Sequence, residues 1–393
     1  MISEEQAYQQ ILAATNPLPT RKISLTDAGN CFAAEDYFAQ TPLPNFDNSA
    51  MDGYAVKASD CVRDKSLKVI GEQPAGVDRQ LRISLGEAIR IFTGAPIPHG
   101  ADAVVMQEDV EVHGSEISIN TEVQPGEFIR RRGCDLAEGQ KVVSKGQRLR
   151  VTTTAALAAQ GLSEVTVGGR VTAAVVSTGD EIVQPGLSLR PGEIYDSNSV
   201  LLKSLLEGWG AEVRFAEHSR DDEQALIGCL RRATANDVLL ISGGVSVGQH
   251  DLVKSALTAI GAKIDVWRVA IKPGKPFLFG KTGGCHVFGL PGNPVSSFVT
   301  FLKFVRPAIL LMMGAADNEL PLRTVSARLV EDVVNASDRP HYIRGQLTDG
   351  EFTTSGRQES HALFGLSRSN ALLRVPAQKT FRAGEFVHVE LWD

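Results

Sequence analysis

Between residues 171 and 313, short apolar runs alternate with helical patterns along the chain. The apolar runs, each typical of a buried strand, span 171–177, 212–216, 237–242, 264–271 and 286–290. Helical patterns follow at about 197–209, 222–234, 251–260 and 295–313. Nearly continuous Val, Leu and Ile strands separated by helices predict an α/β fold, with a doubly wound, mostly parallel sheet covered by helices on both faces.

The pattern changes on both sides of this segment. Ser3-Glu4-Glu5-Gln6 has the form of a capping box and predicts a first helix that ends before Pro17. Between residues 40 and 150, β-type runs at 88–92, 103–106 and 117–119 are separated by Gly and Pro turns, and 154–160 predicts one helix. Strands expected at 323–330, 341–347, 371–375 and 386–391 indicate a C-terminal β-barrel or sandwich.

Composition narrows the class of protein. The chain has 393 residues, of which 43% are hydrophobic and 22% charged, as in soluble proteins of several domains. The net charge of −6 and the lack of a basic run argue against a nucleic-acid partner. An acidic N-terminus and the absence of a long uninterrupted apolar run predict a cytoplasmic protein without a membrane segment. Five scattered cysteines are expected to be reduced and structural.

Four unusual loops follow the predicted strands, where ligands of open α/β sheets bind. They are Ser177-Thr178-Gly179-Asp180-Glu181, Ser242-Gly243-Gly244-Val245-Ser246-Val247-Gly248, Ile271-Lys272-Pro273-Gly274-Lys275-Pro276 and Leu290-Pro291-Gly292-Asn293-Pro294-Val295-Ser296. In the last of these, Asn293 suits a helix N-cap and Pro294 the first helical position. Glycines let backbone N–H groups approach an anion, and a helix N-terminus attracts negative charge. The loops therefore predict a negatively charged ligand.

The charged residues of these loops refine that prediction. Lys272 and Lys275, held between prolines, suit the binding of phosphate or another oxyanion. Carboxylates near a phosphate site usually hold a divalent cation, most often Mg²⁺, and the candidates are Glu181, Asp221, Asp222 and Asp251. The alternatives are that the glycine loops are only tight connections and that Asp221-Asp222 only stabilises the start of a helix.

Motif matching leaves one other enzyme class open. The dinucleotide, P-loop and zinc-protease motifs are absent from the sequence. Gly244-Val245-Ser246-Val247-Gly248 fits the G-x-S-x-G nucleophile elbow, with Asp265 and either His286 or His341 as triad partners of Ser246. Because the pattern is short and no HGGG-like segment accompanies it, a hydrolase is the minor alternative.

Seven segments together resemble the MoeA family of molybdopterin molybdenumtransferases, which includes the E domain of gephyrin. In the family's order they are Pro44-Asn45-Phe46-Asp47-Asn48-Ser49-Ala50-Met51-Asp52-Gly53-Tyr54-Ala55, Thr93-Gly94-Ala95-Pro96, Arg130-Arg131-Arg132-Gly133-Cys134-Asp135, 177–181, 242–248, Pro273-Gly274-Lys275-Pro276 and Pro291-Gly292-Asn293-Pro294. Each segment alone is weakly specific, whereas seven in order are highly specific. One departure is Trp267-Arg268, where much of the family has Trp-Lys.

The resemblance implies an elongated homodimer whose active site lies at the subunit interface. It implies four domains: an extended linking domain (1–45 and 139–169), a β-rich domain (46–138), an α/β molybdopterin-binding domain (170–315) and a C-terminal β-barrel domain (316–393). The implied reaction is the insertion of molybdate into adenylyl-molybdopterin with Mg²⁺-dependent release of AMP, which gives molybdenum cofactor. No covalent enzyme intermediate is expected.

Matching positions imply roles for individual residues. The catalytic set would be Asp52, Thr93, Asp135, Glu181, Asp221 and Asp251. Of these, Glu181, Asp221 and Asp251 would serve Mg²⁺, and Asp52 and Asp135 would come from the partner subunit. The cofactor-binding set would be Gly243, Gly244, Ser246, Pro291 and Pro294, together with a molybdate pocket of Lys272, Lys275, Ser296, Arg344 and Ser360. For Asp52 the alternative is a turn carboxylate that caps its own loop.

Two rival functions share this fold. One is a gephyrin-like scaffold module, although no hydrophobic patch or added linker in the sequence points to that role. The other is a pterin-binding paralogue that adenylylates molybdopterin, which the β-rich N-terminal part and the C-terminal barrel disfavour. Other proteins of molybdenum cofactor biosynthesis are further candidate partners.

Overall fold

The computed structural model describes residues 1–62, 65–244 and 252–392. The chain divides into two units, one formed by residues 1–35, 144–155 and 162–393 and the other by residues 36–143 and 156–161. The larger unit contains the α/β sheet and the barrel, and the smaller unit contains most of the N-terminal β structure. The four-domain division expected from the resemblance stays a prediction.

A six-stranded sheet forms the centre of the larger unit. Its strands lie in the order Glu212–Ser219, Thr172–Thr178, Val238–Ser242, Cys285–Leu290, Leu278–Thr282 and Lys263–Trp267. The first four strands are parallel. Leu278–Thr282 is antiparallel to both of its neighbours, so Lys263–Trp267 again runs in the direction of the first four. The predicted doubly wound, mostly parallel sheet is therefore confirmed.

Helices cover both faces of the sheet because successive strand residues point to opposite sides. Val175 and Leu240 pack with Leu202 of helix Ser197–Gly208 in one buried cluster. Their chain neighbours Val176 and Leu239 belong to a second cluster. That cluster contains the buried faces of helices Glu223–Ala233 and Leu252–Ala259. The continuous apolar runs in the sequence thus reflect strands buried on both faces.

The run predicted as one strand over 264–271 is two short strands, which corrects the expectation. Arg268 has a positive φ of 64°, and this turn of the backbone separates Lys263–Trp267 from Val269–Ala270. Val269–Ala270 leaves the main sheet and pairs with the N-terminal strand Ile2–Ser3. In the sheet, the antiparallel strand Leu278–Thr282 lies between Lys263–Trp267 and Cys285–Leu290, and the sequence pattern does not indicate it.

One long apolar helix runs through the core of the larger unit. It comprises Pro294–Thr300, a π-helical turn Phe301–Val305, and Arg306–Met312. Pro307 has no N–H to donate to the carbonyl of Lys303, and the π turn lies directly before it. By length and composition the helix could cross a membrane, yet 89% of its apolar window is buried inside the protein. It is consistent with a core helix of a soluble fold.

The N-terminal helix Glu4–Ala13 has the predicted capping box, since Ser3 Oγ accepts from the Gln6 N–H and Gln6 Oε1 accepts from the Ser3 N–H, both at 3.0 Å. Outside the sheet and the barrel, the larger unit also contains two strand pairs, Arg21–Ser24 with Glu164–Val167 and Ile182–Val183 with Ile194–Tyr195. Its 3₁₀ turns are Leu25–Asp27 and Asp317–Glu319.

The C-terminal region forms the predicted closed barrel. Its strands are Arg323–Leu329, Glu351–Thr354, His341–Thr348, Ala371–Val375 and Phe386–Leu391, in that order around the barrel. Val333–Asn335 pairs with Lys379–Phe381 outside it, and the short helix Leu363–Ser367 lies in a connection. Four barrel strands coincide with the predicted runs, and Glu351–Thr354 closes the ring between two of them.

The smaller unit is built on a second six-stranded sheet. Its order is Ala103–Met106, Gly53–Val56, Glu87–Ile91, Ser66–Gln73, Glu116–Ile119 and Val110–His113. Short pairs join Asn48–Ser49 to Ile129–Arg130 and Tyr37–Phe38 to Lys141–Val143, and 3₁₀ turns lie at Ala58–Asp60 and Gln107–Asp109. Helix Val151–Ala159 coincides with the predicted helix over 154–160.

Candidate active site

A cavity of ≈ 660 Å³ opens at the carboxyl ends of the parallel strands. The loops after Thr172–Thr178, Val238–Ser242 and Cys285–Leu290 form its walls, as expected for an open α/β sheet. Six residues predicted for the site line it, namely Glu181, Asp221, Gly243, Gly244, Pro291 and Pro294. Lining residues that the sequence did not single out include Asp196, Asn198 and His361.

Two carboxylates enter this cavity from neighbouring loops. Thr178 Oγ1 donates to Asp221 Oδ1 at 2.8 Å, which fixes the Asp221 carboxylate beside the end of the first strand. Glu181 folds back over Gly179, whose φ is +140°. A Cβ atom at Gly179 would lie 2.6 Å from Glu181 Oε2, so the glycine makes room for that carboxylate. The strand end thus holds two exposed acids that face one cavity.

The backbone approaches the cavity closely at Gly243 and Gly244, which have φ values of +92° and +64°. A Cβ atom on Gly243 would lie 2.5 Å from the carbonyl oxygen of Thr178, and one on Gly244 would lie 2.5 Å from Val253 Cγ2. Both positions therefore require glycine for conformational and for steric reasons. This packing brings the second loop against the first.

Asn198 joins two of the cavity's loops. Its Nδ2 donates to Ser242 Oγ at 2.9 Å and to the carbonyl oxygen of Gly292 at 2.7 Å. Asp196 caps the same helix by accepting from the Ser199 N–H at 2.9 Å. Asp196 before helix Ser197–Gly208 is a residue type typical of an N-cap, but such a pattern indicates a helix start and not a contact with distant loops.

The residues predicted to hold molybdate lie beside this cavity and do not line it, as far as the described residues show. Pro276, next to Lys275, reaches the cavity wall. The backbone of Lys272 is bonded to the barrel, since its N–H donates to the Pro340 carbonyl at 2.9 Å and its carbonyl accepts from the Tyr342 N–H at 2.7 Å. The loop 271–276 therefore connects the sheet to the barrel.

Ser296, Ser360 and Arg344 surround this connection. Ser360 Oγ accepts from Asn293 Nδ2 at 2.9 Å, and its carbonyl accepts from the Val295 N–H at 3.1 Å, which attaches it to the cavity rim. Ser296 is 4% exposed, and its carbonyl oxygen lies near Gly274. Arg344 is completely buried, and its guanidinium donates to the carbonyls of Arg357 and Glu359.

His341 lies near three positively charged side chains of this region. Burial, followed by the charges of Lys272, Arg344 and Arg339, lowers the pKa of His341 to about 4. The imidazole is therefore neutral near pH 7, and its Nε2 atom has no partner within the described protein. Burial disfavours charge of either sign, so only the three nearby cations, and not the size of the pKa shift, favour a bound anion here.

In the smaller unit, Asp52 and Thr93 are in contact. The Asp52 carboxylate accepts from the Thr93 N–H at 2.7 Å and from Thr93 Oγ1 at 2.8 Å, and these two bonds lower its pKa. The carboxylate thus joins two loops 41 residues apart rather than capping its own turn. Asp135 lies in another turn, where its N–H donates to the Leu43 carbonyl at 3.0 Å.

Ser246 and Asp251 lie outside the described residues. The other members of the hydrolase alternative are separated: Asp265 faces Lys263 on the edge strand, His286 contacts the carbonyl of Ala14, and His341 lies in the barrel. Within residues 1–62, 65–244 and 252–392, no group of three or more His, Cys, Asp or Glu side chains is placed to hold a metal ion. All five cysteines are free thiols.

Comparisons with known proteins agree with this architecture. Family models match residues 2–161 as the MoeA N-terminal region (domain I and II), residues 174–310 as a probable molybdopterin binding domain, and residues 326–392 as the MoeA C-terminal region (domain IV). The molybdopterin molybdenumtransferase of Haemophilus influenzae is 36% identical, covering 99% of this chain and 98% of its own length. That of Nostoc sp. is 37% identical over 91% and 86%.

Solved structures show the same relationship. A molybdopterin biosynthesis MoeA protein from Pyrococcus horikoshii OT3 has a TM-score of 0.84 with 31% identity, and the match covers 100% of both chains. The resemblance carried by the seven loop segments is thereby confirmed over the full length. The chain belongs to the MoeA family of molybdopterin molybdenumtransferases.

Proposed function

We propose that this enzyme inserts molybdate into adenylyl-molybdopterin with Mg²⁺-dependent release of AMP, and so forms molybdenum cofactor. The observation that carries the proposal is the cavity at the carboxyl ends of the parallel strands, where Glu181 and Asp221 face glycine-lined loops. The backbone N–H of Gly244 suits a phosphate oxygen of the pterin substrate, whereas the N–H of Gly243 donates to the Leu290 carbonyl at 3.4 Å. Pro291 and Pro294 would shape the opposite wall.

The carboxylates fit a Mg²⁺ site of the kind that substrate phosphates complete. Mg²⁺ is usually held by one or two carboxylates together with phosphate oxygens and water, so a group of three protein ligands is not required. Glu181 and Asp221 would hold the ion, with Asp251 as the third candidate. When bound, the ion would neutralise charge on the phosphoanhydride. Residues of this chain position both carboxylates: Thr178 fixes Asp221, and Gly179 leaves space for Glu181.

The molybdate pocket would be formed by Lys272, Lys275, Ser296, Arg344 and Ser360. The cations near His341, which are Lys272, Arg344 and Arg339, support it because positive charge attracts a dianion. Arg344 would act mainly through its bonds to the 357–359 backbone, which place Ser360 at the cavity rim. Dithiolene sulfurs of the substrate are soft ligands suited to molybdenum, so the protein needs only to position the oxyanion.

The active site would be completed in a cytoplasmic homodimer. Asp52, Thr93 and Asp135 would be supplied by the partner subunit, with the Asp52 carboxylate held in place by its two bonds from Thr93. The hydrogen bonds from Thr93 lower the pKa of Asp52, which favours the ionised carboxylate. Other proteins of molybdenum cofactor biosynthesis remain proposed partners.

AMP release by the purified full-length chain tests the proposal. With adenylyl-molybdopterin, molybdate and Mg²⁺, the wild type should release AMP only when all three are present. Glu181→Gln and Asp221→Asn should lower kcat by about 100-fold or more, as expected for loss of charge stabilisation at the reacting group. Asp251→Asn should do the same. Asp265→Asn is the matched control, because Asp265 faces Lys263 on the edge strand away from the cavity.

The same assay separates the alternatives. Wild-type turnover in Glu181→Gln and Asp221→Asn would remove the assigned roles. Consumption of ATP with molybdopterin, and no molybdate-dependent AMP release, would identify an adenylylating paralogue. A folded chain without either reaction would be a scaffold module.

A further inference from the structure

A second cavity, of ≈ 440 Å³, lies in the C-terminal region behind the wall of the first. The two cavities share one short segment of chain. His361 and Leu363 line the reaction cavity, whereas Ala362, Phe364 and Gly365 line the second. The second cavity therefore borders the segment of chain that also bounds the proposed reaction site.

Phe364 is the dominant apolar side chain of the second cavity. It lies on helix Leu363–Ser367 and is 75% exposed, although a phenyl ring gains much from burial. The Arg368 guanidinium lies 5.8 Å from the ring centroid. An exposed aromatic ring beside arginine is the composition of protein-binding hot spots.

The charge of the cavity is positive in an otherwise acidic protein. Arg357 and Arg368 both line it, and neither is joined to a carboxylate by an ion pair in the described part of the chain. By contrast, Arg328 is paired with Glu351 and Arg382 with Asp332. No described lining residue is acidic.

Glu331, an acid beside this wall, is engaged by the lining residue Thr354. Glu331 Oε1 accepts from the Thr354 N–H at 3.0 Å and from Thr354 Oγ1 at 2.6 Å. In the described part of the chain, Glu331 forms no ion pair with either guanidinium group. The cavity offers two unpaired cations and an aromatic ring to an anionic, partly apolar occupant.

The wall is also held in place before any partner binds. Gln358 Oε1 accepts from the Arg344 N–H at 2.9 Å, and Gln358 Nε2 donates to the Arg344 carbonyl at 3.0 Å. The buried Arg344 guanidinium donates to the Arg357 carbonyl. A surface fixed by such bonds loses little conformational freedom on association, which favours binding.

We propose that this cavity docks a segment of a partner protein that carries carboxylates beside an aromatic side chain. A peptide can cover the exposed face of Phe364 and place its acids against Arg357 and Arg368, whereas a small ligand inside the cavity leaves most of that ring in water. The partner would then lie directly behind the wall of the reaction cavity. The inference does not depend on which reaction takes place there.

Fluorescence anisotropy with the full-length chain tests the docking site. The probe is a fluorescein-labelled peptide with one phenylalanine flanked by aspartates, and its counterpart has lysines in place of the aspartates. The acidic peptide should bind, and Arg368→Glu and Phe364→Ala should each weaken its affinity by about fivefold or more. Arg368→Gln gives a milder change should the charge reversal disturb folding.

Matched controls come from the same barrel. Phe386 is also 75% exposed, and Arg323 is exposed without an ion pair to a described residue. Phe386→Ala and Arg323→Glu should leave the affinity within about twofold, as expected for surface positions outside the contact. Unfolding temperatures of all variants confirm that they fold.

Four results would overturn the proposal. The first is equal affinity for the lysine peptide, and the second is unchanged affinity for the acidic peptide in Arg368→Gln and Phe364→Ala. The third is displacement of the acidic peptide by AMP, if AMP binding itself requires Arg368, and the fourth is a changed oligomeric state of Phe364→Ala in light scattering. The third result would assign a nucleotide subsite. The fourth would show that a second copy of the chain covers the ring.

Discussion

The side-chain amide of Asn198 donates to the carbonyl oxygen of Gly292 at 2.7 Å, and so connects the start of one helix to the loop before another. The same nitrogen donates to Ser242 Oγ at 2.9 Å. Asn198 is 8% exposed, and its Oδ1 atom has no partner within the described protein. One buried side chain therefore holds two loops of the candidate active site at a fixed distance.

Asn198→Ala should loosen both loops. It leaves the Gly292 carbonyl and the Ser242 hydroxyl without their donor, which should lower the free energy of unfolding by about 1–3 kcal/mol. Without the Asn198 amide, the two loops that form the cavity walls should move apart, so the KM for adenylyl-molybdopterin should rise. Urea unfolding and AMP release measure the two effects. Asn236→Ala is the control, since Asn236 Nδ2 donates to the Ala233 carbonyl at a helix end outside the cavity. An equal KM in both variants would contradict the positioning role.

Gly179→Ala should displace the Glu181 carboxylate. The added Cβ would lie 2.6 Å from Glu181 Oε2, at a backbone φ of +140° that L-residues rarely adopt. If Glu181 holds Mg²⁺, the Mg²⁺ concentration for half-maximal AMP release should rise about fivefold or more, since one of few ligands moves.

Gly186→Ala separates backbone strain from this collision. Gly186 has a φ of +96°, and its added Cβ would meet nothing within 4 Å. Both substitutions should cost about 1–2 kcal/mol of unfolding free energy from the strained backbone. Only Gly179→Ala should change the Mg²⁺ dependence, and a similar change in Gly186→Ala would rule out the steric explanation.

His341 should make the fold sensitive to acid. Burial and the neighbouring cations lower its pKa in the folded state to about 4, below the ordinary value of 6.5. Between these values the unfolded chain binds the proton more readily, so stability falls as the pH falls from about 6.5 towards 4. The loss from this group alone should reach at most roughly 3 kcal/mol.

His341→Gln should remove that part of the pH dependence. Unfolding by urea between pH 7 and pH 4 measures it, and the slope of stability against pH should be smaller in the variant than in the wild type. Some slope will remain, because burial also lowers the pKa of His286. The exposed His388 provides the control substitution His388→Gln, which should keep the wild-type slope. Identical slopes for His341→Gln and the wild type would contradict the assignment.

Much of the fold follows from local patterns. The apolar runs identified the parallel strands, and the Gly and Pro loops after them identified the end of the sheet at which a cavity forms. The Ser3 capping box and four of the barrel strands also follow from short-range spacing. These features depend on neighbouring residues, which the sequence displays directly.

Other features depend on partners distant in the chain. Strand Leu278–Thr282 and the break at Arg268 are set by pairing and by a single backbone dihedral. The contact of Asn198 with Gly292 joins residues 94 positions apart. The resemblance implies that Arg344 belongs to the molybdate pocket, but the sequence does not indicate that its guanidinium is buried and donates to backbone carbonyls. Local periodicity indicates which face a residue occupies and not which distant group it meets.

A part-buried ion pair should contribute strongly where the core helix meets the barrel. Lys303 Nζ lies 2.7 Å from Glu390 Oε1, and their side chains are 19% and 20% exposed. The ammonium also lies 5.1 Å from the Tyr342 ring centroid. Lys303→Met leaves the Glu390 carboxylate without its partner and should lower the free energy of unfolding by about 3 kcal/mol.

The double variant Lys303→Met/Glu390→Gln should recover most of that loss, because no unpaired charge remains. The exposed pair of Lys22 and Glu164, also 2.7 Å apart, is the comparison, with side chains 66% and 52% exposed. Lys22→Met should change the stability by less than about 1 kcal/mol, since water screens the exposed charges. Urea unfolding of the four chains measures these differences. Equal losses from Lys303→Met and from the double variant would show that packing, rather than the unpaired carboxylate, causes the effect.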